Sequence, residues 1–229
     1  MAFRMNARRF AAVLARRPAL RVPRVAVAMP RMAVPVQTYA TERDPSVSLK
    51  DPVEDESQRH LELGTLALEM GDLEKAIAEY QKSIEVQENA SAYYNIGVCK
   101  YQEQDLEGAI SAWKEALRLS PDSPDAHTNL ASAYVMSKPS RPDLAIEHLQ
   151  TAASQTPDDA EIQFNLGAVL EACEQLEGAV EAYKKASLGG IERAEQNVRN
   201  CTAKLMAARL EVERKKKAGE LPEEITEPK

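Results

Sequence analysis

Acidic side chains and lysine are missing from the first 41 residues of this 229-residue sequence, while eight arginines crowd into them: Arg4, Arg8, Arg9, Arg16, Arg17, Arg21, Arg24 and Arg31. The other residues carry 21 basic and 36 acidic side chains, a net −15, so the chain's overall −7 averages two unlike segments. Cysteine is scarce. Cys99, Cys173 and Cys201 are far apart and form no CxxC, Cx3C or Cx9C pair, which argues against a metal cluster or a disulfide framework and leaves them as helix-packing residues. No hydrophobic run is long enough to span a bilayer: the longest apolar stretch of the N-terminal segment, Val25 to Val36, is broken by Pro30 and Arg31. Glycine-rich phosphate loops and HExxH are also missing, and no strand–turn–helix pattern frames a nucleophile. Three histidines, His60, His127 and His148, share no face in the sequence pattern and make no metal site; His148, beside Glu147, reads as a solvent-exposed side chain. The expectation is a protein with no catalytic residues, no bound metal and no cofactor.

What is present begins with the leader. Phe3, Ala7, Phe10 and Leu14 fall within about 60° of one another on a helical wheel, away from Arg4, Arg8, Arg9 and Arg16. A basic amphipathic helix ended by Pro18, in an acid-free segment, is the composition of a mitochondrial transit peptide. A basic tail for nucleic acid or anionic lipid is the competing reading, but such tails usually contain lysine and need no apolar face. Tyr39-Ala40-Thr41 resembles the start of many mature fungal mitochondrial proteins, although no arginine two or three residues earlier marks a cleavage point. Residues 1–40 are thus assigned to a disordered transit peptide and 41–56 to an acidic linker. With no hydrophobic sorting segment, the matrix is the expected destination, with peripheral inner-membrane association as the alternative.

The body of the chain repeats. Leu63-Gly64, Ile96-Gly97, Leu130-Ala131 and Leu166-Gly167 are separated by 33, 34 and 36 residues. In phase with them run Ala76, Ala109, Ala145 and Ala179, each followed by Ile or Val, then Tyr80, Trp113, Leu149 and Tyr183, then Ser83, Ala116, Ala152 and Ala186. Pro121 and Pro157 close the second and third units. These residues resemble the signature of the tetratricopeptide repeat (TPR), a helix pair with Leu and Gly/Ala at positions 7 and 8, Ala at 20, an aromatic at 24, Ala at 27 and Pro at 32. The resemblance implies an all-α, right-handed α-solenoid of four helix pairs, 57–89, 90–123, 124–159 and 160–190. Small residues let paired helices approach closely and large ones fill the gap between them. Gly71-Asp72, Gln104-Asp105 and Glu174-Gln175 take the turns within repeats one, two and four; repeat three instead inserts two residues in Lys138-Pro139-Ser140-Arg141-Pro142, either neutral spacing or a specific contact. After Gly189-Gly190, Ile191, Ala194, Val198, Cys201, Leu205, Ala208 and Val212 form one apolar stripe, read as a capping helix over 191–217, with a partner-docking or coiled-coil stripe as alternatives. Residues 218–229, rich in Glu and Pro, are expected to be disordered.

In the resembled family the first helix of each pair, helix A, lines a concave groove with positions 2, 5, 6, 9, 12 and 13. Across the four repeats those positions hold acids, amides and apolar groups and not one Lys or Arg. Tyr94, Asn95, Tyr101, Thr128, Asn129, Val135, Phe164 and Asn165 are the candidate groove residues. Asn95, Asn129 and Asn165 share position 6 and could bond the backbone of an extended peptide, or could reflect only the family's preference there. The clamp for a chaperone's Glu-Glu-Val-Asp tail needs Lys and Arg where this chain has Leu61, Asp125 and Asn129, and Thr65 where it needs Asn; only Asn95 remains, so that partner is not expected. Nucleic acid is opposed too, since residues 57–190 hold 10 basic and 22 acidic side chains. Two functions fit: an adaptor that binds a neutral-to-basic, partly apolar protein segment, and a permanent structural subunit of a mitochondrial complex. Oligomeric state is left open.

Overall fold

A computed structural model describes residues 52–218, so the transit-peptide, linker and tail assignments lie wholly or largely outside the described residues. Within that span nine helices follow one another and no strand occurs. They are α1 (Pro52–Glu69), α2 (Leu73–Val86), α3 (Ala90–Gln102), α4 (Leu106–Leu119), α5 (Pro124–Met136), α6 (Pro142–Gln155), α7 (Ala160–Ala172), α8 (Leu176–Leu188) and α9 (Glu192–Lys217). Each packs on the next, and α1 also meets α3. The all-α stack of four helix pairs plus a terminal helix is therefore observed.

Local chemistry sets the boundaries. Asp72, Asn89, Asp105, Ser123 and Asp159 accept a hydrogen bond from a backbone N–H two or three residues on, capping α2, α3, α4, α5 and α7, a contribution of about 1 kcal/mol each. The turn within a pair is built the same way three times. Asp72 N–H reaches Ala67 O, Asp105 N–H reaches Lys100 O and Gln175 N–H reaches Leu170 O, all at 2.9 Å. That closure places the preceding residue in the left-handed region, at φ 78° for Gly71, 64° for Gln104 and 60° for Glu174. Repeats two and four keep the geometry without the glycine that suits it.

The close approach inferred from the small residues is real. A Cβ on Gly64 would come within 2.6 Å of the Tyr80 ring, one on Gly97 within 2.4 Å of Trp113, and one on Gly167 within 2.7 Å of Tyr183. Repeat three carries Ala131, and there the facing residue is Leu149, with no ring to clash. Ala76, Ala109, Ala145 and Ala179 are all fully buried, as are Tyr80 and Trp113. Trp113 is core, its Nε1–H donating to Tyr94 O at 3.1 Å.

Repeat three departs from expectation at His148 and decides between the two readings of its loop. His148 is half-buried and not solvent-exposed: it meets His127 Nδ1 to Nδ1 at 2.8 Å and stacks on Tyr134 at 5.7 Å between centroids. His127 Nε2 contacts Pro121 O at 3.0 Å. A carbonyl only accepts, so Nε2 of His127 carries a hydrogen and its Nδ1 accepts from His148, an assignment made from the bonding pattern. The inserted loop makes specific internal contacts: Arg141 pairs with Glu107 of repeat two, its guanidinium carbon lies 4.8 Å from the Tyr134 ring centroid, and its Nε–H donates to Ser137 Oγ at 3.1 Å.

Candidate peptide-binding groove

The A helices α3, α5 and α7 begin at Ala90, Pro124 and Ala160, position 1 of their repeats. Cross-bonds between neighbouring A helices show which side chains sit side by side along the groove. Asn129 Nδ2–H donates to Tyr94 Oη at 2.9 Å, joining α5 to α3. Tyr101 Oη–H points at Met136 Sδ at 2.9 Å, joining the same two helices further along. Burial, with the Asp125 carboxylate nearby, pushes the Tyr94 phenol up to about 12, and burial also raises Tyr101. Both remain neutral donors or acceptors across the physiological range.

The asparagine row is not uniform. Asn129 is buried and its N–H engaged by Tyr94, whereas Asn95 and Asn165 are half-buried and make no hydrogen bond among the described residues. Only the latter two offer a free amide. Thr128 adds a buried Oγ with no partner, and Val135, half-buried, lies about two turns further along the same face of α5. Phe164 sits 5.4 Å from the Tyr183 ring and is covered by the guanidinium of Arg193 at 4.2 Å.

That last contact shows what reading the sequence missed. α9 begins at Glu192 and stands in register with the A helices. Ala194 and Cys201, at its positions 3 and 10, are fully buried, as are Ala92 and Cys99 in α3 and Ala126 and Ala133 in α5. Arg193 pairs with Glu161 at 3.2 Å and Lys204 with Glu171 at 2.6 Å. Lys204 against Glu171 repeats the positions of Met136 against Tyr101. α9 is thus a fifth A helix without a helix B among the described residues, and it lends the groove Arg193, Lys204 and a fourth position-6 asparagine, Asn197, near the Tyr183 hydroxyl. A groove free of Lys and Arg holds for the four repeats and not for the whole surface. Glu171 is the meeting point: burial would raise it, but the Lys204 ammonium and the Tyr183 hydroxyl bond its carboxylate and leave it lowered overall. The signal lay in the seven-residue spacing of Ala194 and Cys201. A 32-residue step and Val198-Arg199 at the Leu-Gly positions hid it.

Among the described residues no group of three or more His, Cys, Asp or Glu could hold a metal, and no helix is long and apolar enough to cross a membrane. The surface offers amide, aromatic and carboxylate groups suited to a polypeptide backbone and its side chains.

Models of the tetratricopeptide repeat match residues 57–89, 100–137 and 140–190. The chain belongs to the tetratricopeptide-repeat family. A Drosophila melanogaster protein named BBSome complex member BBS4 homolog is 29% identical over 128 residues, 56% of this chain and 26% of that protein, so the chain spans about a quarter of the relative's length. YrrB, described as a TPR protein with an unusual peptide-binding site, superposes with a TM-score of 0.60 at 24% identity over 67% of this chain and 79% of its own. MamA of Desulfovibrio magneticus RS-1 gives 0.59 at 21% identity over 73% and 95%. The two structural likenesses establish the fold. With the family comes its general role, a scaffold for protein–protein interaction.

Proposed function

We propose that this TPR protein is a non-catalytic adaptor of the mitochondrial matrix that holds an extended, neutral-to-basic and partly apolar segment of another protein during assembly or quality control of an organellar complex. The observation that carries the reading is the pair of unengaged amides, Asn95 and Asn165, set among Tyr94, Tyr101, Val135 and Phe164. An amide both donates and accepts, so it pairs with a peptide backbone whatever its sequence. The carboxylates along the A helices favour a basic segment, and pairing of Glu161 and Glu171 with Arg193 and Lys204 removes that preference toward α9. The acid-free, arginine-rich leader supports delivery to mitochondria.

Binding is tested by fluorescence anisotropy with a labelled extended peptide alternating Lys with Val and Tyr. Asn95→Ala with Asn165→Ala should weaken it about thirtyfold, from two lost hydrogen bonds of about 1 kcal/mol each. Unchanged affinity would remove the amides from the reading. Import into isolated organelles followed by protease protection tests the compartment; a chain left accessible to protease outside both membranes would reject it. Permanent membership of a complex is the second reading, favoured by the complex subunit named among the relatives; fixed stoichiometry on native gels would select it.

A further inference from the structure

The two end helices of the described stack carry exposed apolar side chains, and the two ends are unlike each other. Inside the stack each A helix packs on the preceding helix B, and positions 3 and 10 hold small, fully buried residues in α3, α5 and α9 (Ala92, Cys99, Ala126, Ala133, Ala194 and Cys201), while α7 has the larger Ile162, buried, and Val169, half-buried. α1 carries Arg59 and Leu66 there and follows no described helix. Its stripe of Leu63, Leu66 and Met70 is 41%, 53% and 76% exposed. Asp55, Glu62 and Glu69, spaced by seven, run along one edge of that stripe. Overall α1 holds Glu54, Asp55, Glu56, Glu62 and Glu69 against the single Arg59, a net −4.

At the other end the complement appears. α9 has 26 residues where the neighbouring A helices have 13, so it is about 39 Å long and outruns the repeat it packs on. At position 8, where Gly97 and Gly167 meet their own helix B, it carries Arg199, and the same face continues through Met206 and Leu210, 61% and 66% exposed. The apolar stripe read from the sequence is covered only as far as Leu205; Ala208 and Val212 are exposed with the rest. Within α9, from Met206 to Lys217, Arg209, Arg214, Lys215, Lys216 and Lys217 outnumber Glu211 and Glu213, a net +3.

We infer that copies of this chain associate head to tail, the Met206–Leu210 stripe of α9 in one copy seating on the Leu63–Leu66–Met70 stripe of α1 in the next. Among the described residues no helix precedes the one face and none follows the other. Charge selects the pairing: acidic α1 against basic α9 attracts, while α1 against α1 or α9 against α9 opposes like charges. The contact is heterologous, so it extends into open stacks unless the rotation closes a ring. It uses neither Asn95 nor Asn165 and is independent of the adaptor reading. A few apolar side chains on each face make a small interface, which gives weak, concentration-dependent association in roughly the 10–100 micromolar range.

Sedimentation velocity of the full chain tests this. The weight-average mass should rise from the 25.3 kDa of a monomer with increasing concentration, and fall back as salt is raised. Leu66→Lys and Leu210→Gln, both at exposed positions and both checked for unchanged circular dichroism, should each weaken association about tenfold. Mixed one to one they should recover dimers and nothing longer, because one intact α9 face meets one intact α1 face. A monomer at every concentration overturns the inference. So does loss of association with Leu66→Lys alone while Leu210→Gln still associates, which would indicate symmetric α1 pairing, and so does a mixture that fails to recover dimers.

Discussion

Gly97→Ala sets two physical effects against each other. Gly97 lies inside helix α3, where alanine is favoured over glycine by about 1 kcal/mol. Packing opposes the change. The new methyl would fall 2.4 Å from Trp113 Nε1 and 2.5 Å from Cδ1, distances no real Cβ adopts. Trp113 has nowhere to go, being fully buried and held by its bond to Tyr94 O. Overpacking a rigid site costs about 1–3 kcal/mol, and a clash with an anchored indole belongs at the upper end, so the net expectation is destabilisation by about 1–2 kcal/mol. Trp113 is the sole tryptophan, so its fluorescence reports both the unfolding transition and the displaced ring. Urea melts followed by that emission should show a lower midpoint and a shifted native spectrum. Ala131→Gly is the control: it should cost about 2 kcal/mol, from helix propensity and the loss of one buried methyl, and leave the spectrum unchanged. A Gly97→Ala protein more stable than the parent by about 1 kcal/mol would refute the close approach of α3 and α4.

Other outcomes follow from the same geometry. Burial, with the nearby His127 and the Lys114 ammonium, pushes the His148 imidazole down to about 4 from an ordinary 6.5. The neutral ring is then the form favoured in the folded state, so its contribution is complete above about pH 6.5 and is lost as pH falls toward 4, amounting to about 2–3 kcal/mol at most. Urea melts between pH 7.5 and 4.5 check this, and His148→Leu should flatten the dependence in that window. Gln104→Gly and Glu174→Gly place glycine where φ is 64° and 60°; each should stabilise by about 0.5–1 kcal/mol, read as a higher thermal midpoint. Gly71→Ala, at φ 78° with open space around it, should lower the midpoint by the equivalent of about 1 kcal/mol through backbone strain alone.

The fold was legible because its cause is periodic. Gly64, Gly97 and Gly167 recur with Tyr80, Trp113 and Tyr183 since each ring must lie on bare backbone, and that requirement leaves a mark at every repeat. The turns were legible for the same reason, even where Gln104 and Glu174 replace glycine. α9 was harder to read. With no helix B over it among the described residues, nothing there demands a small residue at position 8, so Arg199 stands there and the register shows only in Ala194 and Cys201. The groove was legible in membership and not in bonding. Position 6 identified Asn95, Asn129 and Asn165 alike, but a tyrosine one position earlier on the preceding A helix, Tyr94, engages Asn129 and leaves the other two unengaged. His127 and His148 escaped because they face each other across two helices whose relative rotation depends on the inserted loop. Linear spacing carries no record of that rotation.

The central claim, that the A-helix surface holds a segment of another protein, is tested most directly by photo-crosslinking in intact mitochondria. A photoreactive amino acid is placed at Asn165 in the groove or at Glu181 on the exposed side of α8, and the adducts are compared. A discrete protein adduct from position 165 and none from 181 is the predicted result. Adducts from position 181 alone would contradict the claim and assign binding to the outer face.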